Sequence, residues 1–158
     1  MTALVYDCAL GRELTPEEVA ALPAPDPLPL DEQKARLKAE IKAQQAALFQ
    51  SGWTHDFGAA GTHTLDLRSP DDKANWTLLL IKAQGMIGAG AGAMTVTLRT
   101  QANETIELTA TETATAMAQF LSWGEDMLSA KWGLDEAVDA AADVEAMAAI
   151  DITAGWPA

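Results

Sequence analysis

From residue 30 onward apolar side chains recur at Leu30, Leu37, Ile41 and Leu48, with Lys34 and Gln44 in the remaining positions of a heptad-like seam. The spacing predicts a helix from Asp31, a good capping residue, to about Gln50. So narrow a stripe suits two environments. It can pack on the protein's own sheet, or meet copies of itself in a short coiled coil whose polar seam residues help set register and oligomer state.

Two short runs follow, residues 53–57 and 62–67, rich in aromatic and β-branched side chains around the turn 58–61. They predict a hairpin. Ser69-Pro70-Asp71-Asp72 then combines a capping serine, proline at the first helical position and carboxylates near the positive end of a helix dipole. Ala74, Leu78 and Ile81 are the expected buried stripe of that helix, and Gly85 its expected end. Beyond the glycine-rich stretch 85–92, Met94, Val96 and Leu98 alternate with polar residues, as do Ile106 and Leu108 after a polar turn. A second hairpin with one apolar face is predicted.

Thr109-Ala110-Thr111-Glu112 is a capping box that opens the longest helical pattern, with Met117, Phe120, Leu121, Leu128, Leu134 and Val138 on one broad face. The pattern runs either through Gly133 to about Ala142, or breaks at Trp132-Gly133. Asp143 can cap a last short helix with Val144, Met147 and Ile150, and Trp156 is expected to fold back onto the body. The fold class is therefore α+β: a small antiparallel sheet of two hairpins covered by helices.

Residues 1–30 differ from the rest. Residues 3–6 suit a short strand, and Thr15-Pro16-Glu17-Glu18 starts a helix that prolines soon end. Pro23, Pro25, Pro27 and Pro29 alternate with other residues, which predicts a stiff, polyproline-like spacer. The chain divides into an extended N-terminal arm, 1–30, and an α+β domain, 31–158. The arm is either a terminus without a role or an anchor that inserts into another protein.

Composition narrows the function. The chain has 158 residues, 49% of them hydrophobic, and a formal net charge of −13. One domain plus an appendage fits that length. By segment the charge is −4 over residues 1–30, +1 over 31–50, 0 over 51–100 and −10 over 101–158. Such acidity repels phosphate backbones and anionic lipid, so nucleic acid is not an expected partner. Lys131 is the only basic residue after Arg99, which predicts a solvated acidic face with little internal ion pairing. No apolar run is long enough to span a bilayer, and no membrane insertion is expected. Charged residues interrupt the start too early for a secretory signal, which points to folding in the cytoplasm. Cys8 is the only cysteine, so neither a disulfide framework nor a cysteine zinc site is available.

Candidate chemistry is sparse. Residues 88–92, Gly-Ala-Gly-Ala-Gly, leave a helix and enter a strand, the reverse of a phosphate-cradling loop, and read as a connector. His55, Asp56, His63 and Asp66 lie on the first hairpin, where His55 and His63 can face each other across the strands. Their spacing matches no metal motif. No nucleophile elbow or triad is recognisable, and Cys8 lacks cationic neighbours. Trp76, Trp123 and Trp132 sit in helical segments, where packing is a commoner use than sugar binding.

Residues 65–76, the hairpin 98–110 and especially residues 146–157, Ala-Met-Ala-Ala-Ile-Asp-Ile-Thr-Ala-Gly-Trp-Pro, resemble a domain of unknown function frequent in tail-gene clusters of bacteriophages and prophages. The resemblance covers about residues 31–158. It implies a non-enzymatic virion structural protein, a tail-fibre, tail-tip or baseplate-associated component, made in the host cytoplasm and needing no cofactor or metal. Its implied partners are other phage tail proteins and further copies of itself, with a trimer favoured. The arm residues Leu4, Val5 and Tyr6 and the seam residues Leu37, Ile41 and Leu48 are the candidate contacts. A glycan- or receptor-binding tail module and a small metal-dependent hydrolase are the alternatives.

Overall fold

A computed structural model describes residues 28–157 and, ahead of them, positions 6, 7, 12, 13, 15, 17 and 19. In the arm, strand β1 (Tyr6–Asp7) pairs antiparallel with β2 (Arg12–Glu13), Tyr6 opposite Glu13. Glu17 and Val19 are helical, and the Val19 amide donates to the Thr15 carbonyl at 2.9 Å. The rest of the spacer and the arm residues Leu4 and Val5 lie outside the described residues.

Helix α1 (Leu30–Ser51) begins one residue before the expected cap. Pro29 occupies the cap position at φ −51° and ψ 146°, and Asp31 falls in the first turn, where its charge meets the helix dipole. The helix stops at Gly52, whose φ of +86° turns the chain directly into strand β3 (Trp53–Asp56). A Cβ there would lie 2.5 Å from the Leu65 carbonyl oxygen, so only glycine allows the approach.

Strand β3 pairs antiparallel with β4 (Thr62–Leu65), and β5 (Thr95–Arg99) with β6 (Thr105–Thr109). The two hairpins do not merge into the single small sheet expected from the sequence. Each stays two-stranded, and a backbone bond from the Gln101 amide to the Thr64 carbonyl, 2.8 Å, ties one to the other. Two-stranded ribbons are marginal alone, so burial of their inner faces under helices holds them in place.

Helix α2 (Pro70–Gly88) starts at the Ser69 cap that the sequence predicts, and Asp72 returns the bond to complete a capping box. Its buried stripe is nevertheless Trp76, Leu80 and Ala83. Ala74, Leu78 and Ile81, the expected core positions, all point outward, Leu78 61% and Ile81 58% exposed. Gly85 does not end the helix, which continues three residues to Gly88.

Helix α3 (Ala110–Ala140) runs unbroken through Gly133 for 31 residues, and its capping box between Thr109 and Glu112 is intact. It is the central strut: α1 and α2 both pack on it, as do β5 and β6. Met117, Phe120 and Val138 are buried as expected; Leu121 and Leu128 are exposed, and Trp123 and Met127 take core positions instead. Asp143 caps the short helix α4 (Val144–Ala148).

One core joins the inner faces of both hairpins to α2 and α3, with Trp53, Leu65, Trp76, Val96, Leu108, Phe120 and Trp123 among its members. Trp53 and Phe120 rings lie 5.5 Å apart, and Phe49 of α1 meets Trp123 edge-on at 5.4 Å. At the far end Ile41, Val138, Ala141 and Met147 are buried where α1, α3 and α4 converge. Trp156 folds back as expected but is half-buried, packed on the core edge with its indole N–H donating to the Ile152 carbonyl at 2.8 Å.

Within the acidic third ion pairing is sparse, as expected, and the third is tied instead to α1. Lys131 pairs with Asp135 one turn on, and Lys38 of α1 meets the Asp139 carboxylate at 2.7 Å. Lys34 donates to the Asp139 carbonyl at 2.9 Å, so two lysines of the only net-positive segment hold the acidic end of α3.

Candidate functional site

The first hairpin brings its titratable residues together in the foreseen register, His55 opposite His63. The imidazoles are then drawn to different partners. His63 meets the Ala60 carbonyl through Nε2 at 2.7 Å, so that nitrogen carries a proton, and its Nδ1 lies 3.3 Å from Glu104. His55 stacks on Trp53, with ring centres 4.4 Å apart, and stands edge-on to Phe57. Burial holds the His55 pKa below the usual histidine value, partly offset by the Asp56 charge.

The carboxylates are also engaged. Asp56 accepts the Gly58 amide at 2.9 Å, closing the turn. Asp66 binds the Arg68 guanidinium, which holds its carboxyl below the usual range, with backbone amides adding to the effect. Among the described residues no three histidine, cysteine, aspartate or glutamate side chains converge as a metal site would require.

A cleft of about 360 Å³ opens between this hairpin and the start of α3. His55, Asp56 and Phe57 form one wall; Leu108, Glu112 and Gln119 belong to the other. Glu112 accepts the Thr109 amide and hydroxyl, both at 2.8 Å, and these bonds keep its carboxylate ionised below its usual range. It serves there as a cap rather than as a proton acceptor for a ligand. The glycine stretch 88–92 acts as the connector expected. A Cβ at Gly92 would lie 2.8 Å from the Thr111 hydroxyl oxygen, so the glycine lets the loop lie against the start of α3.

The remaining candidate surfaces are apolar. Leu78 and Ile81 stand on the outer face of α2. On α3, Leu121, Leu128 and Trp132 follow one another at seven- and four-residue steps, Trp132 57% exposed. A third feature is a groove of about 300 Å³ between α1 and α4, which includes Leu28, Leu37, Val144 and Met147 in its lining.

Of the sequence-derived contact residues, Leu4 and Val5 fall outside the described residues, and Tyr6 is described only as backbone in β1. The seam of α1 is divided by the packing. Ile41 is fully buried inside the chain and Leu48 lies half-buried against the core. Leu37 borders the groove between α1 and α4, and Leu48 also lines a smaller pocket beside Trp53 and Trp123. Sequence reasoning missed Leu78, Ile81 and Trp132 as surface residues, because helical spacing marks a stripe as apolar without saying whether it is covered. No family model, curated protein or solved structure matches the chain.

Proposed function

We propose that the protein is a non-enzymatic assembly component, a structural part of a bacteriophage tail at the fibre, tip or baseplate, built into its particle as a homo-oligomer with threefold symmetry favoured. The observation that carries an assembly role is the amount of large apolar side chain left outside: Leu78, Ile81, Met94, Trp132 and Val144 are each more than half exposed. Isolated exposed apolar residues are ordinary, but runs of them along two helices mark surfaces that neighbours cover. The tail assignment rests on the sequence resemblance over residues 31–158.

Capture of the tagged chain from the cells that make it, followed by cross-linking and mass spectrometry, tests this reading. Tail proteins in fixed ratio are the expected neighbours, with cross-links near Lys82 on the outer side of α2. Recovery as a free monomer, absent from assembled particles, overturns it. The exposed ring of Trp132 favours a second reading, a glycan-binding tail module, since an exposed indole is the face on which sugars stack. Under that reading Trp132→Ala abolishes binding on a glycan array while the melting temperature holds.

A further inference from the structure

Independently of the assembly reading, we propose that the pocket where α1 meets the start of α2 binds a small organic phosphate, its dianion held between Lys42 and Lys73 and its organic part laid beside Phe49. The pocket encloses about 320 Å³, a size suited to a small ligand. Helix α1 supplies Lys42, Ala46 and Phe49, at steps of four and three residues that put them on one face. The loop after β4 adds Arg68, and the start of α2 adds Lys73. Three of the ten lysines and arginines of the chain thus line one pocket, and no described aspartate or glutamate does.

The charges there are unequal. Arg68 is matched by Asp66, and Asp72 is occupied by the cap at Ser69. Lys42 and Lys73 differ: among the described residues no carboxylate pairs with either, although acidic residues outnumber basic ones by 23 to 10. Lys73 is nevertheless held in place. Its ammonium lies over the Phe49 ring, 4.0 Å from the centre, a contact that positions the charge without cancelling it. Phe49 in turn is fixed edge-on against Trp123. Two ammonium groups without counter-ions match one dianion, whereas a single carboxylate would satisfy only one of them. The half-buried Phe49 ring and the Ala46 methyl offer an apolar contact that only an organic ligand can use. The net charge of −13 does not prevent binding: at about 0.15 M salt, fields decay over roughly 8 Å, so the pocket's own cations set its potential. A long polyanion would run past that range over acidic surface and stays disfavoured.

Calorimetric titration of the full chain with phenyl phosphate, at fixed ionic strength, tests the site. Binding to the natural chain is expected, and Lys42→Gln and Lys73→Gln are each expected to weaken it about tenfold, the loss of one charge-assisted contact. Lys42 is exposed and unpaired among the described residues, so Lys42→Gln is expected to keep its melting temperature and reads binding alone. Lys82→Gln removes another exposed lysine of α2, outside the pocket, and is expected to leave binding unchanged. Inorganic phosphate is expected to bind more weakly than phenyl phosphate, for want of the contact with Phe49. No binding of phenyl phosphate at millimolar concentration overturns the site, as does equal weakening by Lys82→Gln. Inorganic phosphate bound as tightly overturns the organic ligand. A hexaglutamate peptide bound more tightly, with the same dependence on Lys42, overturns it in favour of an acidic protein surface.

Discussion

His55 shows how one side chain links packing to pH. Its ring lies flat on Trp53 and edge-on to Phe57, so protonation places a charge where water is partly excluded. The folded-state pKa is thereby lower than the ordinary 6.5. The unfolded chain then binds the proton more readily, so the neutral ring contributes stability above about pH 6.5 that is lost as pH falls through the folded value. Asp66, Glu112 and Asp151 have depressed values for another reason, the hydrogen bonds that favour their charged forms, and each adds stability lost only on further acidification. Between pH 7 and pH 5 the histidine effect therefore stands apart. His55→Phe, which keeps an aromatic ring against Trp53, is expected to lose less melting temperature over that interval than the natural chain; an equal loss means that His55 is not the source. The facing of His55 and His63 was legible in the sequence, because a hairpin closed at residues 58–61 dictates it. Their partners were not: the stack on Trp53 and the reach of Glu104 depend on how the hairpin lies on neighbouring elements.

Helix α2 poses the same problem at the scale of an element. Trp76, Leu80 and Ala83 lie on one face, Ala74, Leu78 and Ile81 on another, and each set repeats at helical spacing. Periodicity identifies both as apolar; only the position of α3 selects which is covered. Leu80→Ala is expected to cost about 2–4 kcal/mol, somewhat tempered by any collapse around it, because it removes buried contacts. Leu78→Ser is expected to change the isolated chain by no more than about 0.5 kcal/mol, since its side chain stands in solvent. Urea unfolding of the two variants measures both, and a comparable loss at Leu78 would reverse the assigned orientation. Helix ends were more legible than helix faces. The serine cap at Ser69 and the capping box at Thr109 are local interactions completed within four residues, and both formed where the sequence placed them. Gly85 and Gly133, by contrast, sit inside helices whose tertiary packing outweighs the roughly 1 kcal/mol penalty of a glycine.

Over the whole molecule, charge and packing oppose each other. The C-terminal third carries −10 and is held to the rest partly through Lys34 and Lys38, which reach Asp139. The net charge of −13 leaves a surplus of repulsion within the fold. Raising sodium chloride from about 0.01 M to about 0.15 M shortens the screening length from roughly 30 Å to 8 Å, and the melting temperature is expected to rise. A fall would show that ion pairs such as Lys38–Asp139 outweigh the general repulsion. The sequence by itself determined the α+β class, the two hairpins and their closing turns, the capped starts of α2, α3 and α4, and the acidic third, because these follow from neighbours along the chain. Tertiary structure alone decided that the hairpins remain separate and meet at Gln101 and Thr64, that α3 becomes the strut for two other helices, and that Ile41 lies inside while Leu78, Ile81 and Trp132 lie outside. Burial is a relation between segments distant in sequence, and a periodic pattern carries the capacity for contact without naming the surface that meets it.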